Sequence, residues 1–335
     1  LLDWRWSFFA ILPLGLLALI PTIIALGDEE KGTARRFDFT GFIFIAVAIG
    51  ALQLMLDRGQ RQDWFQSLEI IIEAALVVGF FYLFLVHSAL AKAPLFDPRC
   101  FRDRNFVLGV TVALVMGMLQ YTPLVLFPAL LQDLRNYPEA VVGSLLAMRG
   151  VGNFLSFLVV TQMTRLSARG TLAAGLLIQA AAAAWMGQLD INMTSSDVFW
   201  CNLIHGFGFG LAYTPMAVLA FSTLKGRLLT QGNAIFSLLR MIGSSFFIAI
   251  CLLVFVRASA GAEGVLGAMV TIFEDPLMVP WHDQFGAIDD IGFQSQAQNE
   301  IRRQAAMIGY INAFHLLTIV PIMFAPLVLF FRLRH

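Results

Sequence analysis

Long uninterrupted apolar runs constrain this chain more than anything else in its sequence. Spanning a bilayer takes about 20 largely apolar residues per helix. Nine such runs can be marked: Phe8–Leu26, Phe39–Leu56, Leu68–Leu90, Phe106–Leu130, Val141–Met163, Thr171–Leu189, Val198–Leu224, Leu228–Val256 and Ala305–Phe331. A membrane core has no water for unpaired backbone groups, so closed barrels are the only rival to helices. Barrel strands alternate apolar and polar residues. The stretch Leu76-Val77-Val78-Gly79-Phe80-Phe81-Tyr82-Leu83 does not alternate. The expected fold class is therefore all-α, a polytopic membrane protein with nine transmembrane helices.

Composition agrees. Charged residues make up 13% of the chain, against about 25% in soluble domains. Mean hydropathy is +0.77. Acidic and basic residues balance at 22 each, so net charge points to no nucleic-acid partner. Cys100, Cys201 and Cys251 are far apart and fit no zinc or disulfide spacing. No metal is expected. Gly206-Phe207-Gly208-Phe209-Gly210 sits inside an apolar run, so it is no phosphate loop. Its small residues suit close helix approach.

Lysine and arginine in alternate loops fall into two sets. The richer set holds Lys31, Arg35, Arg36, Lys92, Arg99, Arg102, Arg104, Arg165, Arg169, Lys225, Arg227, Arg332 and Arg334. That set marks the cytoplasmic side. The chain would then start outside and end inside at His335. The stretch at about 257–304 is the one sizeable polar segment, with Glu263, Glu274, Asp275, Asp283, Asp289, Asp290 and Glu300. It reads as a long extracytoplasmic loop whose last part, Gln294 to Ala306, is a polar helix. It is either a solvated loop or a docking surface.

Ionisable groups inside apolar spans are costly and become functional candidates by default. Arg149 lies about 12 Å and Arg240 about 18 Å into their spans, at 1.5 Å per residue. Neither depth favours snorkelling to the interface. Asn153 follows Arg149 at i+4, on the same helix face. Gln120, Asn202 and His205 are further polar groups in apolar runs. These six are the candidate transport-pathway residues. For the arginines the alternative is a structural tie between helices. For His205 the alternatives are a packing residue or a proton relay. Glu73 is expected near the outer interface and Glu69 at the headgroups.

The ordered motifs resemble the fourteen-helix drug:proton antiporter branch of the major facilitator superfamily (EmrB/QacA type). Trp4-Arg5-Trp6-Ser7-Phe8-Phe9 with Pro13-Leu14-Gly15 is similar to that branch's turn into its sixth helix. Asp57-Arg58-Gly59 with Asp63-Trp64-Phe65 resembles the loop between its central pair. Pro94-Leu95-Phe96-Asp97 and Phe101-Arg102-Asp103-Arg104-Asn105-Phe106 resemble the entry to its C-terminal bundle. Leu131-Gln132, Gly143 and Arg149-Gly150-Val151-Gly152 are similar to its tenth helix. Gly232-Asn233, Arg240, Gly243 and Ser244-Ser245 are similar to its thirteenth. Met148 stands where that branch often has proline, and Asn312 where an acid is common.

The resemblance implies a C-terminal portion lacking about five N-terminal helices. Residues 1–26 would end the N-terminal bundle, 27–92 would be two inserted helices, and 93–335 a six-helix bundle. The implied activity is proton-driven efflux of amphipathic drugs by alternating access. A proton gradient would replace any cofactor. The implied partners are the lipid bilayer, a small-molecule substrate, and a periplasmic adaptor with an outer-membrane channel. Two other classes compete. One is a membrane fragment or scaffold without transport activity. The other is a lipid-modifying enzyme, which would need Glu69, Glu73 and His87 to meet, although they lie toward opposite ends of one span.

Overall fold

The computed structural model describes residues 5–26, 37–269 and 291–332. It divides into two compact units, Leu1–Asp38 and Phe39–His335. The first holds α1 (Trp6–Leu26), an apolar helix with Pro13 and Pro21 inside it. The second holds α2 (Phe39–Arg58), α3 (Leu68–Leu90), α4 (Arg104–Ala129), α5 (Glu139–Met186), α6 (Ser195–Phe221), α7 (Arg227–Met269) and α8 (Ile291–Phe324). Among the described residues, seven helices, α2 to α8, are long and apolar enough to cross a membrane, and Ile11–Ile24 forms a shorter apolar stretch. Lys31, Arg35, Arg36 and Arg334 lie outside the described residues, as do Glu274, Asp275, Asp283, Asp289 and Asp290.

Two expected spans, Val141–Met163 and Thr171–Leu189, belong to the 48-residue α5. Unbroken, it would be about 72 Å long, more than twice a bilayer core of about 30 Å. It is broken at Ser167, whose backbone is extended (φ −159°, ψ 97°). The Ser167 hydroxyl accepts from the Gly170 amide at 3.1 Å and so caps the second half. The connection is thus a single residue, where a loop was expected.

Glycine contacts give the directions of the two halves. A Cβ on Gly206 of α6 would meet the backbone of Arg149, and one on Gly210 would meet Asn153 and Ser156. Numbers rise together, so α6 runs parallel to the first half. Gly175 faces Ala212, and Gly208 faces Gln179. There the numbers run oppositely, so α6 is antiparallel to the second half. The halves of α5 therefore fold back on one another with α6 packed against both. Between α4 and α7, Gly117 abuts Arg240 and Gly243 abuts Leu114.

Alternate loops meet at opposite ends of this unit. At one end the Asn105 side chain donates to the Arg332 carbonyl and accepts from the Arg332 amide, both at 2.8 Å. Thr223 donates to Asp103 at 2.7 Å, and Arg169 donates to the Phe331 carbonyl. At the other end Arg135 donates to the Ile191 carbonyl at 3.0 Å, and Arg303 to the Leu134 carbonyl at 3.2 Å. Lys92, Arg99, Arg102, Arg104, Arg165, Arg169 and Lys225 all lie in segments at or leading into the first end.

Helices α4 and α6 are central and α2 and α3 peripheral. Within the most apolar stretch, 67% of α4 is buried but only 17% of α3. The outward side chains of α3, such as Val78, Tyr82 and Leu85, suit lipid.

In the polar segment at about 257–304 the helix before it reaches further than its apolar run, while the expected helix Gln294 to Ala306 is the opening of α8. Helix α7 continues to Met269 and α8 begins at Ile291. Of that segment, residues 270–290 lie outside the described residues. The overhangs are tied together by Glu263, which accepts from Arg302 at 3.2 Å and Gln298 at 3.1 Å. A 43-residue α7 spans about 64 Å, so it must project past the core. Glu73 also differs from expectation: it is buried, with its Oε2 lacking a partner among the described residues. Glu69 pairs with Arg58.

Candidate functional site

The site is built on two helix stripes. On α5, Arg149, Asn153 and Phe157 stand at i, i+4 and i+8; on α6, His205, Phe209 and Tyr213 do the same. That spacing puts each set on one face. The Gly206 contact with the Arg149 backbone brings the two faces together. Two adjoining cavities open beside them. The larger, of about 330 Å³, is lined by Gln120, Leu124, Leu146, Arg149, Asn153 and Phe209 among others. The smaller, of about 180 Å³, is lined by Gln120, Asn153, Phe157, Phe209, Tyr213 and Arg240. Gln120, Asn153 and Phe209 are common to both.

Arg149 is 8% exposed. Its Nη2 donates to the Leu119 carbonyl and lies 2.9 Å from His205 Nδ1. A guanidinium has donors only, so Nδ1 must accept and the His205 proton sits on Nε2. The imidazole is therefore neutral. Arg149 Nη1 and His205 Nε2 have no hydrogen-bond partner among the described residues. Arg240 Nη1 donates to Gln120 Oε1 at 2.7 Å. Its guanidinium also stands 5.9 Å from the centroid of the Tyr213 ring, within cation–π range. Phe209 stacks on Tyr213 at 5.7 Å.

The structure brings Gln120, Arg149, Asn153 and Arg240 to the cavity walls. His205 lies behind, fully buried, and reaches the cavity only through Arg149. Asn202 is separate: its Nδ2 donates to Val198 one turn back, and it lines neither cavity. Phe157, Phe209 and Tyr213 are lining residues that sequence reasoning passed over. Their signal was continuation of each stripe by one more i+4 step. Among the described residues no three His, Cys, Asp or Glu gather as metal ligands would.

The pattern of the Major Facilitator Superfamily matches residues 1–248. Fatty acid resistance protein FarB of Neisseria gonorrhoeae is 28% identical over 333 residues, covering 97% of this chain and 65% of its own length. Multidrug export protein EmrB of Escherichia coli (strain K12) is 26% identical over 312 residues, covering 92% of this chain and 60% of its own. Probable multidrug resistance protein EmrY of the same strain is 23% identical over 336 residues, with 98% and 65% covered. The chain thus spans between 60% and 65% of the length of these relatives.

Proposed function

The chain belongs to the Major Facilitator Superfamily, as a multi-pass α-helical membrane protein, and from that we propose that it exports amphipathic small molecules in exchange for protons by alternating access. One observation carries the reading: four polar side chains, two of them arginines, line two adjoining cavities together with aromatic rings inside a helix bundle. Burying arginine at membrane depth is unfavourable and is retained where it lines a pathway. Pockets that bind small molecules are mostly apolar with a few convergent polar groups. Names of relatives point the same way, to fatty acid resistance and multidrug export.

On this reading the chain crosses the bilayer nine times, with α5 crossing twice by way of Ser167. Helices α4 to α8 act as one six-crossing bundle, and α2 and α3 as an inserted pair. Gln120, Arg149, Asn153 and Arg240 contact substrate, and His205 positions Arg149. The membrane is a bacterial inner membrane, with the chain start outside and the C-terminus cytoplasmic. The overhangs of α7 and α8 then stand on the outer side, where an adaptor would dock.

The test is efflux of a fluorescent amphipath from energised cells expressing the full gene product. Export that stops on adding an uncoupler supports the exchange; export that ignores the gradient sinks it.

Orientation needs a reporter other than Cys100. That thiol is fully buried, with Sγ 3.8 Å from the Leu228 carbonyl. Burial pushes its pKa up, and Asp97 and Asp103 add to this. The thiolate is the nucleophile that attacks a thiol reagent, so Cys100, buried and with its pKa raised, stays unlabelled from either side. The neighbouring Arg99 side chain is 78% exposed. A membrane-impermeant maleimide is expected to label Arg99→Cys only after cells are opened. Labelling in intact cells reverses the topology.

A further inference from the structure

We infer that a membrane phospholipid of net negative charge is seated on the side of the bundle away from the candidate site, with its phosphate at Arg104 and one acyl chain in a separate cavity between α4, α7 and α8. It is a fixed companion of the fold, and the inference holds whatever the chain transports.

That cavity, of about 210 Å³, is lined by Thr111, Leu114, Val115, Ile242, Phe246 and Phe324 among others. Thr111 is the one polar side chain of the lining, and its hydroxyl donates to the Val107 carbonyl at 2.9 Å. A water needs two to four polar partners, and an apolar cavity of about 150 Å³ stays dry and takes up hydrocarbon instead. Inside a bilayer the hydrocarbon at hand is an acyl chain. Phe246 in the wall is 48% exposed, so the cavity opens sideways. Thr111 and Gln120 are nine residues apart on α4. That is two and a half turns at 3.6 residues per turn, which puts them on opposite faces. On α7, Ile242 and Phe246 likewise point away from Arg240 by the same count.

A charged corner stands at the end of the same face. Arg104 is seven residues before Thr111, so it shares that face about 10 Å nearer the helix start. Exposed Val107 lies between them. The Arg104 guanidinium is 5.9 Å from the centroid of the Phe330 ring, in the turn Ala325–Phe330 that follows α8. The elements that wall the cavity therefore also place the arginine. Asn105 binds the Arg332 backbone through both its amide and its carbonyl, which brings a second exposed arginine to the corner. Asp103 is close by, but its Oδ1 accepts from the Phe106 amide at 2.9 Å and from Thr223 at 2.7 Å. Headgroups add about 5–8 Å to each side of the hydrocarbon core, so two turns of α4 match the step from phosphate to acyl chain. Arginine forks suit phosphate oxygens, and basic pockets between helices take anionic headgroups. A zwitterionic lipid would bring its own cation to this corner.

The probes are dioleoylphosphatidylglycerol and dioleoylphosphatidylcholine, which share their chains and differ in headgroup charge. Binding of each to the purified full gene product in detergent is measured by native mass spectrometry, with a thermal melt on every variant. The glycerol lipid is expected to bind at least about tenfold more tightly, a difference that two interfacial arginines supply. That preference is expected to fall at least about fivefold in Arg104→Gln and to survive in Arg104→Lys. It is expected to be unchanged in Arg165→Gln, which removes an exposed arginine from another helix at the same end. Thr111→Phe fills the cavity and is expected to weaken both lipids without changing their ratio. It also carries the test if Arg104→Gln does not fold. Equal binding of the two lipids overturns the inference. So does a preference that Arg104→Gln leaves intact or that Arg165→Gln removes equally, which would mean a diffuse basic surface only. Unchanged affinity in a folded Thr111→Phe protein overturns the acyl seat. A lipid-free dimer by light scattering, lost in Thr111→Phe, would mean that a second copy covers this face instead. No transport is measured, so failure here leaves the efflux reading standing, and absent efflux leaves the lipid site standing.

Discussion

Gly206→Val is expected to abolish the folded protein, with loss of membrane abundance and of any cooperative melt in detergent. The added carbons would meet the carbonyl and Cα of Arg149, which are backbone atoms and cannot swing aside. Retreat of α6 is blocked on its other faces. Gly208 already abuts Gln179 and Ile178, and Ala212 abuts Gly175, all on the second half of α5. Overpacking a tight interior costs about 1–3 kcal/mol even where neighbours can shift. Here they cannot, and a domain's whole stability is only about 5–15 kcal/mol. Gly143→Ala is the matched control on α5, since a Cβ there meets nothing within 4 Å. It should be neutral, or stabilising by up to about 1 kcal/mol through helix propensity. A Gly206→Val protein as stable as Gly143→Ala would mean that α5 and α6 do not pack as described.

The same close packing explains which parts of the fold could be read from the sequence. Apolar runs set helix positions because the bilayer imposes one length and one polarity, and helices α2, α3 and α4 begin within two residues of the runs marked for them. Ser167 was not legible: a serine between Arg165 and Arg169 looks like any interfacial residue, and only the fold-back of α5 makes it a cap. The extension of α7 through Arg257–Met269 was hidden because hydropathy reports burial in lipid. A helix that leaves the membrane carries no such signal. Residues such as Glu263 then look like loop residues until a partner helix is seen beside them.

Within the site, depth picked out Arg149 and Arg240 because charge in an apolar run is conspicuous. Phe157, Phe209 and Tyr213 were not conspicuous among the 31 phenylalanines and 5 tyrosines of the chain. An aromatic ring facing lipid and one facing a cavity have the same hydropathy. Asn202 and His205 were marked by the same rule, yet depth cannot say which way a side chain faces. One proved to bond its own helix and the other to support Arg149.

Arg149→Ala is expected to remove at least about 99% of transport, a loss of about 2.7 kcal/mol of pathway interaction at 1.36 kcal/mol per tenfold, while membrane abundance stays near normal. Two opposing terms set the abundance. Removing the guanidinium leaves His205 Nδ1 and the Leu119 carbonyl without their donor. Leaving such a buried group unpaired costs about 1–3 kcal/mol. Against this, the chain no longer carries an arginine near the middle of the bilayer, which costs about 3 kcal/mol on the insertion scale. These are of similar size, so stability changes little. Transport has no such compensation, because Arg149 is the one charged side chain that lines the larger cavity among the described residues. Arg149→Lys should recover part of the activity at best. An ammonium keeps the charge, but its compact head cannot reproduce the planar fork that serves Leu119, His205 and the cavity together. The measurement pairs energised efflux with quantitative detection of the protein in membranes. If abundance and transport fall together, Arg149 is a tie between α4, α5 and α6. If neither falls, the cavity it lines is not the pathway.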